Sequence, residues 1–110
     1  MKLNTYLPPK ILSDFLYYYD IKWVAYTVDT NSSTNDILTL DKPKIEGENN
    51  ILAILNGNNI FTINMKRFDQ VEFTSERIVF FNDNITLIIE MKHGDGTSLE
   101  NKLRETGYIN

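Results

Sequence analysis

Apolar side chains recur at every second position from Ile85 to Met91: Ile85, Leu87, Ile89 and Met91 share one face, and Thr86, Glu90 and Lys92 share the other. Only Ile88 breaks the alternation. A period of two over this length is the mark of a strand with one face buried. Upstream, residues 70–75 and 77–81 read the same way, so residues 68–92 form a meander of three consecutive strands. Asn82, Asp83 and Asn84 tolerate positive φ at little cost, and this lets Phe81 and Ile85 flank a short hairpin loop.

A chain organised around such a meander needs something to cover its buried face. Residues 8–20 supply a candidate, because Ile11, Leu12, Phe15, Leu16 and Tyr19 follow the spacing of a single helical stripe, and Pro8 or Pro9 suits a first helical turn. On this wheel Tyr19 falls on the stripe, Tyr18 on its flank and Tyr17 opposite it, beside Lys10 and Asp14; Tyr17 is therefore expected to be exposed. Residues 21–30 change to period two, with Val24, Tyr26 and Val28 against Trp23, Ala25 and Thr27, which reads as a central strand with neither face fully polar. Residues 37–40 form a short strand stopped near Pro43, and this strand is an edge candidate. Residues 44–50 read as polar and exposed. The run at 51–55 is a buried strand, followed by Asn56-Gly57, the strongest hairpin signal in the chain. Thr97-Ser-Leu-Glu100 has the form of a capping box opening a helix at 98–106, with Gly107 placed to stop it.

The order helix, about seven strands, helix predicts an α+β fold: an antiparallel sheet of about six to seven strands carrying an N-terminal and a C-terminal helix. The alternative is a pleckstrin-homology-like rolled sheet with a C-terminal helix, an analogy of element order with no motif behind it. All 110 residues are expected to form one domain, with the strands between 21 and 92.

Chemistry is mostly excluded. The chain has no cysteine and one histidine, so thiol catalysis and disulfides are ruled out, and a triad or a histidine-rich metal centre would have to use His93. His93 and Asp95 are too few ligands for a zinc site and read as a solvated turn. The carboxylates at 69, 72, 76, 83 and 90 show no convergence, and the glycine-rich phosphate loops are missing. No enzyme activity and no cofactor are expected. A net charge of −4 argues against duplex nucleic acid as a partner, and no apolar run is long enough to span a membrane, so the expected setting is cytoplasmic.

The remaining functional expectation is a non-catalytic protein that covers a partner protein's surface, of the immunity-protein or phage anti-defence type. Its candidate contact residues are Lys10, Asp14, Tyr17 and Tyr18, with Asp36 and Asp41 as an acidic rim that would favour a partner with a basic surface. Trp23 and Tyr26 read first as core packing. The alternatives are a regulatory or assembly module pairing along a strand edge, including a homodimer, and a small-ligand binder or enzyme with an unrecognised pocket.

Overall fold

A computed structural model describes residues 7–29 and 34–109, with only the backbone described from 34 to 38. Over the described residues the fold is α+β, with eight antiparallel strands in two sheets and a helix packed before and after them. In chain order the elements are α1 (Pro9–Leu16), β1 (Ile21–Asp29), β2 (Thr34–Asp41), β3 (Lys44–Glu48), β4 (Ile51–Asn56), β5 (Asn59–Asn64), a 3-10 turn (Met65–Arg67), β6 (Gln70–Phe73), β7 (Arg77–Phe81), β8 (Ile85–Met91) and α2 (Asp95–Glu105). The larger sheet has the order β2-β1-β8-β7-β6 and the smaller β3-β4-β5. The meander is present as β6-β7-β8. β1 completes the larger sheet by pairing with β8, its outer neighbour being the edge strand β2.

The buried face of the larger sheet is built from rows of paired residues. Tyr26, Leu87, Phe80 and Val71 stand in one row across β1, β8, β7 and β6, and Val24, Ile89, Ile78 and Phe73 in the next. All but Phe73 are buried. Leu52, Ile54 and Ile63 of the smaller sheet, Leu12 and Leu16 of α1, and Leu99 and Leu103 of α2 join the same cluster, so one core serves both sheets and both helices. Such cross-strand packing is what stabilises an antiparallel sheet.

The chain divides into two sheets at residues 42 and 43. Lys42 takes φ 43° and donates its N–H to Lys22 O at 2.9 Å, and Pro43 follows with no N–H to offer a ladder. β3 therefore starts a new sheet. Residues 44–50 are thus not uniformly exposed: over 44–48 Ile45 and Gly47 face inward while Lys44, Glu46 and Glu48 face solvent, an alternation concealed by the side chain missing at Gly47. That absence has a use. A Cβ at Gly47 would fall on the carbonyl of Pro9, so only glycine lets the start of α1 lie directly on β3.

Other local expectations are corrected in the same way. α1 ends at Leu16, because the N–H groups of Tyr18 and Tyr19 bond back three residues, to Phe15 O and Leu16 O, tightening the chain out of the helix. Tyr18 is consequently 76% exposed and stands on no flank. The hairpin after β4 pairs Asn56 with Asn59, so its central residues are Gly57 and Asn58, and only Gly57 has positive φ. The loop after β7 takes no positive φ; Asn82 Oδ1 accepts from the N–H groups of Asn84 and Ile85 at 2.8 and 2.9 Å while its amide donates to Arg67 O at 2.7 Å. α2 starts at Asp95, ahead of the expected capping box, because Ser75 O accepts from Gly94 and Gly96 and seats the helix start on the β6–β7 turn. At its other end Gly107, at φ 84°, stops it as expected, with Tyr108 N–H bonded to Leu103 O.

Leu87 lies at the centre of the buried rows and is fully enclosed. Leu87→Ala is expected to cost about 2–5 kcal/mol in chemical denaturation; a loss under about 0.5 kcal/mol would mean the faces are assigned wrongly. Gly47→Ala, which forces α1 away from β3, is expected to cost at least about 1 kcal/mol although it adds apolar surface. A neutral result in the same assay would show that the helix rides on side chains alone.

Candidate functional site

Four of the six expected contact residues come together. Lys10, Asp14, Tyr17 and Tyr18 line a shallow depression of about 660 Å³ between α1 and β3. Lys10 Nζ is 2.8 Å from Asp14 Oδ1, the two sitting one helical turn apart and both largely exposed. Across the depression Lys44 is paired with Glu46 at 3.4 Å. The surface is therefore close to electrical neutrality, and exposed pairs of this kind add little energy of their own.

The aromatic residues give it character. Tyr17 is 83% exposed, and its ring meets that of Tyr18 edge to face with centroids 5.6 Å apart. The turn that exposes both is held from beneath by Tyr19, whose hydroxyl is 2.9 Å from Ser98 Oγ on α2. Lys102 adds to this anchor with its ammonium 4.8 Å from the Tyr19 ring centre and 5.9 Å from that of Tyr18. Hydrogen bonding to Tyr19 raises the Lys102 pKa above the ordinary lysine value.

Asp41 lies apart from this surface. It lines a smaller depression of about 310 Å³ on the outer face of the larger sheet, with Trp23 and Ile88. The side chain of Asp36 lies outside the described residues. Tyr26 is core, as expected, whereas Trp23 is half-buried on the outer face with the Arg77 guanidinium 5.8 Å from its ring centre. Arg77 also closes on Glu90, with Nη2 2.8 Å from Oε2 and 3.3 Å from Oε1. This ion pair is set by the β7–β8 register, which places the two residues opposite each other.

A second hollow, of about 600 Å³, adjoins the first and was not read from the sequence. Leu16, Ile21, Pro43 and Ile45 give it an apolar lining, and Lys22, Lys42, Lys44 and Lys92 reach it from three separate segments. Tyr17 lines both hollows and so stands on the ridge between them. Among the described residues Asp20 contributes the one carboxylate, held 2.9 Å from Lys92 Nζ, and the hydrogen bond and charge of Lys92 lower its pKa. The sequence clues were Asp41-Lys-Pro-Lys44 and Ile21-Lys22, but nothing in their spacing shows that a corner after β2 folds back beside the start of β1.

His93 is exposed as expected, but it has partners: Nδ1 is 2.6 Å from Glu76 Oε1 and 3.3 Å from Ser75 Oγ. Bonding to His93 first, and to Ser75 second, lowers the Glu76 pKa below the ordinary glutamate value. Among the described residues no three of His, Asp and Glu converge as a metal site would require, and no helix is long and apolar enough to cross a membrane. Comparison with protein-family models, with curated proteins and with solved structures gives no match.

The His93–Glu76 contact yields a pH prediction. A carboxylate whose folded pKa lies below its unfolded value stabilises the fold above the unfolded pKa, and that contribution is lost as pH falls through the folded pKa. His93→Ala should therefore move the Glu76 titration, followed by carboxyl carbon NMR, up towards the usual glutamate value. An unmoved titration would break the assignment of the shift to His93.

Proposed function

We propose that the protein acts without catalysis, by covering part of a partner protein's surface with the α1–β1 turn, in the manner of immunity or phage anti-defence proteins. The observation that carries this reading is the pair Tyr17 and Tyr18, two large amphipathic rings exposed side by side on a turn held by Tyr19, Ser98 and Lys102. Tyrosine is enriched among the residues that dominate interface energetics, and a turn already ordered before contact loses little backbone entropy on binding. Lys10 and Asp14, paired at the margin, supply the polar rim typical of such surfaces. A basic partner was expected from Asp36 and Asp41, and Asp41 stands off this face; the proposal therefore rests on aromatic burial and leaves charge aside.

A second reading has its own observation. β2 is an edge strand of the larger sheet, so its outer side offers a backbone ladder to an added strand from a peptide or a second copy of the chain. Sedimentation across a concentration series separates the two: a reversible dimer favours edge pairing, and a persistent monomer favours the aromatic turn.

Tyr17→Ala is expected to change folding stability by less than about 0.5 kcal/mol, since the ring is exposed. Against the partner retained by the purified domain in a pull-down from its host, the same substitution should weaken binding by about 1–3 kcal/mol, mainly through faster dissociation in surface-immobilised kinetics. Affinity equal to that of the unsubstituted protein for both Tyr17→Ala and Tyr18→Ala would remove this turn from the interface.

A further inference from the structure

The hollow beyond Tyr17 carries a charge opposite to that of the molecule. The chain has a net charge of −4, yet four lysines and one aspartate line this cavity. The lysines are not equally free. Lys92 is occupied by Asp20 at 2.9 Å and Lys44 by Glu46 at 3.4 Å, whereas among the described residues no carboxylate lies within ion-pair distance of Lys22 or Lys42. The last two are held next to each other by the bond from Lys42 N–H to Lys22 O. Lys42 also adopts φ 43°, a conformation that glycine takes without strain and that costs a side-chain-bearing residue stability. A cation therefore occupies a corner where the backbone alone would favour glycine.

Beneath the ammonium groups the lining is apolar: Leu16, Ile21, Pro43 and Ile45, with the Tyr19 ring beside them. Such a lining offers nothing to a bare inorganic anion, which would keep its water. It suits the flat apolar body of an organic molecule, and the volume of about 600 Å³ falls within the range of small-molecule pockets. We propose that this hollow binds a small organic anion, an aryl carboxylate or aryl phosphate, with the ring against Leu16, Ile21, Pro43 and Ile45 and the anionic group between Lys22 and Lys42. Two ammonium groups with no carboxylate in reach among the described residues are then matched by one ligand, and of the residues that line the partner-facing depression only Ile45 is required.

The test is an amide NMR titration of the intact chain with phenyl phosphate and with benzoate, set beside benzyl alcohol and inorganic phosphate. The aryl anions are expected to shift Tyr19, Ile21, Lys22, Lys42 and Ile45 with a dissociation constant of about 1 mM or tighter, while each comparator, lacking either the charge or the ring, binds at least about tenfold more weakly. Lys22→Gln should weaken phenyl phosphate by about tenfold. Lys42→Gly gives the sharper result: it relieves the left-handed backbone, so the melting temperature should hold or rise while affinity falls about tenfold. Equal binding of benzyl alcohol or of inorganic phosphate, shifts scattered over the surface, or no shift in the millimolar range would each overturn the proposal. So would Lys42→Gly binding phenyl phosphate as well as the unsubstituted chain.

Discussion

The seat of α1 on β3 governs everything that faces a ligand or partner. Pro9 O lies where a Cβ of Gly47 would be, so helix and strand touch backbone to backbone and the helix axis cannot lift without opening the core beneath Leu12 and Leu16. From that contact the rest follows in order: α1 ends at Leu16, the next three residues turn, and β1 begins at Ile21 under the corner formed by Lys42 and Pro43. Both hollows are consequences of this path. α2 uses the same device at the other end of the chain, where Gly96 lies against the backbone at Thr74 and Arg77.

Much of the fold is legible in the residues because alternation and turn chemistry agree. Ile85, Leu87, Ile89 and Met91 place β8, the stripe through Leu12 and Leu16 places α1, and Gly107 ends α2, each by a local rule with one outcome. The division into two sheets is less legible. Lys42 in the left-handed region announces no corner, since the residue types that favour positive φ are glycine and asparagine. β3 escaped because its inward position at 47 is a glycine kept small for Pro9, a reason that lies thirty-eight residues away along the chain. The start of α2 moved for a similar reason, since Ser75 O accepts from the N–H groups of Gly94 and Gly96 and draws the helix start ahead of Thr97.

The candidate site divides the same way. Helical spacing alone predicts the exposure of Tyr17, because an amphipathic helix leaves one side bare whatever covers the other. Tyr18 is exposed for a reason the wheel cannot contain, namely that the helix has already ended. The lysine-lined hollow depends on tertiary placement: Lys22, Lys42 and Lys92 are far apart in sequence, and they converge only because β1 pairs with both β2 and β8. A charge count averaged over the chain conceals such a local reversal of sign.

That β1 lies between β2 and β8 also bears on how the molecule is made. The smaller sheet closes through two tight hairpins, so its contacts are local and quick to form, while the larger sheet has at its centre the pairing of residues 21–28 with 85–91. Contacts so distant along the chain carry a large loop-closure cost and slow the search for the native state. During synthesis the apolar side of β1 must wait for β8 to leave the ribosome before it has a partner on that edge. Between the synthesis of β5 and that of β8 the nascent chain thus holds all three strands of the small sheet beside an unfinished large one, in which Val24 and Tyr26 still lack their cross-strand partners Ile89 and Leu87.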